Sequence, residues 1–497
     1  MRSVRGLAPL RHRGFRLLAG GQVTSNVGDA FYAVALPWYV LATHGGALLL
    51  AAVLAAYGVP RTVLVAFGGH ASDRWKPWTV MMVADTVRAL AVGGLAVVAL
   101  LGPARASLLV PVAIVLGAGE GLFLPGSFAI VPTLLPDEEL EAGNGLASGG
   151  TQLATLVGPA LGGAVVAVVG AASAFGVDAV TFCVSAVTLF GVRAHQRRLG
   201  ATPTAPPPDA LAATAPSAPP EALAATAPSA PPEALAATAS PAPPDALAAT
   251  ALPAPPASPT LRGLLTSERV LQVILIVTLA ANLGSGGVSE VALPALVHGP
   301  FHAGATGYGA LIAAFGGGAL AGTLLVGQMR RARRPALVAS FAFLAEAGCM
   351  AAVPYVGGAL VAAVPLVALG ALNGFGNVVT VTAFQRWAPR ELMGRLIGVI
   401  MIASIGIFPV SVLFGGAVVH ALGPAAFFPL SAGILAMAVL GGLTQRSWRA
   451  FGASDGASSA RDGGAEARTL QEGERVDAAT RISPREVRAP RVPTATV

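Results

Sequence analysis

The chain of 497 residues is 54% hydrophobic and only 11% charged, with a mean hydropathy of +0.70. That composition lies outside the range of a water-soluble globular protein and marks an all-α membrane protein. Its net charge of +7 would suit nucleic acid, but the basic residues fall where membrane topology puts them, so no such partner is invoked.

Crossing a hydrocarbon core of ~30 Å takes about 20 apolar residues. Such runs predict six helices near 17–42, 47–69, 79–101, 107–132, 144–169 and 171–192. Six more follow near 270–297, 304–328, 335–355, 359–385, 395–420 and 424–445. The first run is too long for a signal peptide and continues without a cleavage site followed by a soluble domain. Basic residues cluster at alternate connections: Arg2, Arg5, Arg11, Arg13 and Arg16; Arg74 and Lys76; Arg193, Arg197 and Arg198; Arg330, Arg331, Arg333 and Arg334; Arg386 and Arg390; Arg446 and Arg449. The opposite connections hold only Arg105, so the positive-inside rule places both termini in the cytoplasm. Lys76 is the sole lysine, and with abundant Ala and Gly this suggests a high-GC bacterium, hence its inner membrane.

The expected organisation is an N-terminal six-helix half (1–192), a Pro/Ala-rich linker (193–262), a C-terminal half (263–449) and a disordered tail (450–497). The linker repeats a 12-residue unit of the form "PPDALAATAPSA" from Pro207, Pro219, Pro231 and Pro243. Proline pairs break any helix its alanines start, and no unit has apolar bulk to bury, so it reads as a cytosolic spacer. Cys183 and Cys349 lie in predicted helices of different halves, and no disulfide is expected.

The segment "GGHASDRWKPW" (68–78) interrupts two apolar runs, and its Gly69, Asp73 and Arg74 fit the pattern G-x-x-x-D-R. Gly158, Pro159, Gly162 and Gly163 in "NGLASGGTQLATLVGPALGGAVVAVVG" fit G-P-x-x-G-G, and "QRWAPRELMGRLIGVIMI" carries Arg395. In order and on their predicted elements, these segments resemble the major facilitator superfamily, in particular its macrolide and enterobactin exporter branch. The resemblance covers most of residues 10–445 apart from the linker, although Pro77 and Trp78 stand where that family has a basic pair. It implies two six-helix halves containing inverted repeats, with a substrate site near the midplane between the halves. It also implies a gate at the cytoplasmic side, where Asp73 meets the start of the eleventh helix beside Arg395 and favours an outward-facing state.

Charges inside the helices are costly and are retained for pairing or function. Asp85 and Arg88, three apart on one face, and Arg61 at similar depth, read mainly as a structural charge cluster. Asp29, Glu120 and Glu346 have no basic neighbour in sequence. A carboxyl group without a partner in low dielectric takes up a proton readily, so these three are the candidates to carry a coupling proton. Asp178 and Glu290, nearer the opposite surface, are weaker ones. No phosphate-loop or H-E-x-x-H motif occurs, and His298 and His302 flank Gly299–Pro300 rather than a helical turn, so neither an enzyme, a cofactor nor a metal site is expected. The expected function is proton-coupled efflux of a small amphipathic compound by a monomer in the lipid bilayer. An uptake permease of the same fold and a non-transporting membrane sensor or scaffold remain open alternatives.

Overall fold

The computed structural model describes residues 7–102, 105–200, 261–328, 332–388 and 392–452. Within them the chain forms twelve long helices and no strand. The first six are α1 (Arg13–Ala42), α2 (Gly46–Trp75), α3 (Pro77–Leu101), α4 (Ala106–Ile130), α5 (Leu140–Val169) and α6 (Ala171–Gly200). The second six are α7 (Arg269–His298), α8 (Gly304–Gln328), α9 (Pro335–Ala352), α10 (Ala359–Trp387), α11 (Met393–Gly406 and Phe408–Leu422) and α12 (Pro424–Thr444). Eleven described helices are long and apolar enough to cross a membrane. The remaining one, α1, is as long as α2 at 30 residues, but Gln22, Thr24, Ser25, Asn26 and Asp29 dilute its apolar character. Large apolar side chains face outward, with Leu101, Val168 and Leu360 at least 82% exposed, as hydrocarbon solvent requires of a bundle whose backbone groups are satisfied within each helix.

Both halves repeat one packing pattern. α1 lies against α5 and α6, α2 against α4, and α3 against α4 and α6; α7 lies against α11 and α12, α8 against α10, and α9 against α10 and α12. The halves meet where α5 crosses α8 and α2 crosses α11. One end of the bundle carries Arg11, Arg13, Arg16, Arg74, Lys76, Arg334, Arg446 and Arg449 and is termed the basic end below.

Several boundaries differ from the sequence expectation. The segment 68–78 is not a ten-residue connector. α2 runs through it to Trp75, α3 starts at Pro77, and Lys76 alone turns the chain with φ +67°. Proline suits the first position of a helix because its missing N–H costs nothing there. Arg74, Trp75 and Lys76 at the end of α2 are exposed, and the apolar stretch long enough to cross a membrane ends earlier, at Val65. α6 continues past residue 192 to Gly200, so Arg193, Arg197 and Arg198 sit on its last turns. The repeat linker and the C-terminal tail lie outside the described residues. α7 contains a π-helical turn, Val288–Ala292, and α11 is interrupted at Ile407 ahead of Pro409. Ser411 of α11 enters the distorted part of α7, donating to the Leu283 carbonyl at 2.7 Å and accepting from the Gly287 N–H at 2.8 Å.

Candidate functional site

The G-P-x-x-G-G residues of α5 form a two-sided contact. On one side Gly158 faces Ala30 and Gly162 faces Phe31, both on α1. On the other, a Cβ on Gly163 would stand 2.6 Å from the Ala305 carbonyl oxygen of α8, and the Pro159 carbonyl occupies the space beside Gly309. The absent side chains let two backbones touch, as small residues do between membrane helices. This contact lies toward the end away from the basic residues. There, Gly416 of α11 also meets Ala51 of α2, and Trp38 of α1 packs edge-on against His298 of α7 at 5.1 Å. The halves are therefore closed together at that end.

Toward the basic end a cavity of 690 Å³ opens among α1, α3, α4 and α5. Its walls combine hydroxyls and amides (Gln22, Ser25, Asn26, Ser127, Asn144, Ser148, Thr151, Gln152) with Phe123, Leu124 and Phe128. Near Leu140 and Pro132 it lies close to the basic end, and its depth is marked by Asp29, Arg88 and Glu120.

At that depth the sequence reading needs correction. Asp29 and Glu120 are not without basic partners: Arg88 Nη2 lies 2.9 Å from Asp29 Oδ1, and Arg61 Nη2 lies 3.0 Å from Glu120 Oε1. The partners come from other helices, 59 residues along the chain in both cases. Nor do Arg61, Asp85 and Arg88 form a separate structural cluster. Arg88, itself buried, stands between Asp29 and the fully buried Asp85, whose Oδ1 lies 3.5 Å from Nη1. Its guanidinium also stacks over the Phe182 ring at 4.0 Å, an attraction strengthened by exclusion of water. Asp178 belongs to the same cluster, because its carboxyl group and Thr181 fill the space against Gly28, the neighbour of Asp29. Four carboxyl groups (Asp29, Asp85, Glu120, Asp178) thus share two guanidinium groups. Asp29 is the one of the Arg88 partners that reaches the cavity, with a side chain 42% exposed against 0% for Asp85.

Glu346 stands apart in the C-terminal half. It is buried, accepts a hydrogen bond from Asn373 Nδ2 at 2.9 Å, and has no cation beside it among the described residues. Glu290 sits on the π turn of α7, accepting from Ser289 Oγ at 3.4 Å, and faces the electrostatic field of Arg61 across the α2–α7 contact. Tyr308 of α8 donates to the Ser289 carbonyl at 3.1 Å and holds that turn. Sequence reasoning missed Asp178, Asn373, Ser411 and Tyr308 as parts of these arrangements. Of the gate residues, Arg74 and Arg395 are exposed, with Arg395 in the first turns of α11. The backbone of Gly69 and Asp73 is helical, and their side chains lie outside the described ones. No group of three or more His, Cys, Asp or Glu suited to a metal occurs among the described residues.

Comparison with known proteins bears on both halves. Residues 4–205 match the family described as transmembrane secretion effector. The multidrug efflux pump Tap of Mycolicibacterium fortuitum is 30% identical over 183 residues, 36% of this chain and 44% of that protein. The pump of the same name from Mycobacterium tuberculosis is 32% identical over 168 residues, 33% of this chain and 40% of that protein. The chain thus spans less than half the length of these curated relatives. Among solved structures, the nucleoside transporter NupG superposes with a TM-score of 0.58 at 12% identity, over 87% of this chain and all of that one. A bacterial homologue of the iron transporter ferroportin, in its inward-facing state, gives 0.58 at 15% identity over 88% and 98%. Likeness at this level concerns the fold.

Proposed function

We propose that this chain is a secondary transporter of the major facilitator superfamily that exports small amphipathic compounds in exchange for protons, a reading supported by its fold and by the family match of its N-terminal half. The observation that carries this reading is the cavity: open toward the basic end, closed by helix contacts at the other, and ending on paired charges. The distribution of arginines supports placing the basic end and both termini in the cytoplasm of a bacterial cell, so the cavity loads from inside. Its volume is in the range of drug-sized sites, and its mixture of amides, hydroxyls and phenyl rings suits a ligand with both polar and apolar faces. The transporter acts as a monomer in this reading, since every residue lining the cavity comes from the N-terminal half of one chain.

The charge cluster supplies a route for coupling. With Asp29 ionised, Arg88 is held at 2.9 Å and the site is ready for substrate. A proton reaching Asp29 from the outside neutralises the carboxylate and frees Arg88, whose second partner, Asp85, waits 3.5 Å away. A buried guanidinium group such as that of Arg88 needs a carboxylate beside it, because a buried charge left without a partner is destabilising. Transfer of Arg88 between two carboxylates avoids that cost while moving α3 relative to α1. Alternating access then requires the α5–α8 and α2–α11 contacts to part at the outer end. The test is expression in an efflux-deficient bacterial host challenged with a compound panel. Raised resistance to amphipathic compounds that collapses when the proton gradient is dissipated supports export, whereas unchanged or increased sensitivity across the panel contradicts it.

A further inference from the structure

The C-terminal half holds a buried acid that the cavity chemistry does not use. Glu346 lies twelve residues into α9 and is 4% exposed. Its Oε1 accepts from Asn373 Nδ2 at 2.9 Å, while Oε2 is buried without a hydrogen-bond partner. Asn373 Oδ1 in turn accepts from Asn377 Nδ2 at 3.2 Å, and Asn377 is exposed. Every described element packed against α9 leaves the carboxyl group without a cation. α12 has no Asp, Glu, His, Lys or Arg between Pro424 and Thr444. The one ionisable residue of α10 is Arg386, thirteen residues beyond Asn373 and so roughly 20 Å along the helix. The 3₁₀ turn after α9 offers exposed Tyr355, and α9 itself offers Cys349. The segment after α12 presents Arg446 and Arg449 at the basic end, with Trp448 donating to Ser340 of α9 at 3.0 Å.

An ionised carboxylate in this position would have one neutral donor and a bare buried oxygen, an arrangement far costlier than a neutral acid. An exposed amide such as Asn377 is a poor fit to hydrocarbon and marks the side of α10 that meets water. We propose that Glu346 is a second proton-carrying site, one in each half, that exchanges its proton with water along the Asn373–Asn377 polar path. Loss of the proton leaves Glu346 dependent on Asn373, so the path must hydrate, and it hydrates only when α10 is exposed to one side of the membrane. Glu346 and Asp29 thereby load separately, on the two bodies that move against each other. This rests on the proton-coupled reading above.

Two measurements on the full chain separate the two ideas. Infrared spectra in lipid at neutral pH should contain the carbonyl band of a neutral carboxylic acid that disappears in Glu346→Gln and shifts in Asn373→Ala. In proteoliposomes, the proton-to-substrate ratio should halve in Glu346→Gln while substrate binding persists. A spectrum without that band, or an unchanged ratio, overturns the proposal. Wild-type transport indifferent to a proton gradient would instead remove the coupling reading, and the infrared band would still decide whether Glu346 holds a proton.

Discussion

Replacing Gly163 by alanine should drive the transporter toward its outward-open state. The added Cβ would stand 2.6 Å from the Ala305 carbonyl oxygen and 3.2 Å from the Gly309 Cα, where ordinary contact begins at 3.4 Å. Both neighbours are backbone, so neither can rotate aside, and α5 and α8 must separate by several tenths of an ångström or more. Overpacking of this kind costs about 1–3 kcal/mol, and the cost falls only on the state in which the two helices touch. The equilibrium therefore shifts roughly 5- to 150-fold away from the closed outer end. Spin labels at Val168→Cys on α5 and Thr306→Cys on α8, with Cys183 and Cys349 changed to serine, would read the separation by pulsed electron resonance. The long-distance population should grow in Gly163→Ala and stay unchanged in Gly145→Ala, a glycine with open space around it. Identical distributions for wild type and Gly163→Ala in folded protein would refute the argument that this contact closes the outer end.

Three further outcomes are expected. Glu120→Gln removes the charge that holds Arg61 at 3.0 Å and should raise the equilibrium dissociation constant for substrate roughly tenfold, about 1.4 kcal/mol, with gradient dependence retained; a loss of coupling at normal affinity would reverse the roles of Glu120 and Asp29. Asp73→Asn should raise the share of inward-facing molecules, since an amide interacts more weakly than a carboxylate with a helix N-terminus, and thiol labelling of Gly69→Cys should speed up accordingly; an equal labelling rate counts against the gate. Deleting residues 207–254 should leave export intact, because residues 201–206 and 255–260 still join α6 to the short helix at Leu261, with a reach of roughly 40 Å; inactivity despite normal insertion would give the repeats a role beyond spacing.

Helix number and the two-half plan were legible because apolar runs of membrane-spanning length are a property of local sequence. The ends were less so: α2 outlasts its apolar run through "ASDRW", where polar helix formers continue the backbone beyond hydrocarbon, and only Pro77 signals the restart. Pairing was the main thing hidden. Asp29 and Arg88 belong to different helices, and depth along a helix says nothing about which neighbour a side chain faces; for that reason Asp29 and Glu120 read as solitary and Asp178 as peripheral. Gly28 held the missing signal, since a glycine beside an intramembrane acid allows close approach of another polar helix face. The α5 glycines, by contrast, were recognisable by pattern, but that two face α1 and the other contact faces α8 follows only from packing. Glu346 pairs with the neutral Asn373, and no cation stands beside it among the described residues, a difference from Asp29 and Glu120 that depth along a helix also does not reveal.

The central claim is that a proton on Asp29, exchanging with the hold of Arg88, drives export. Its most direct test is substrate efflux from proteoliposomes under an imposed pH gradient, with equilibrium binding measured in parallel. The account predicts that Asp29→Asn abolishes the gradient-driven component while binding stays largely present, since the amide reproduces the protonated acid in shape and charge. Wild-type gradient dependence in Asp29→Asn would contradict it.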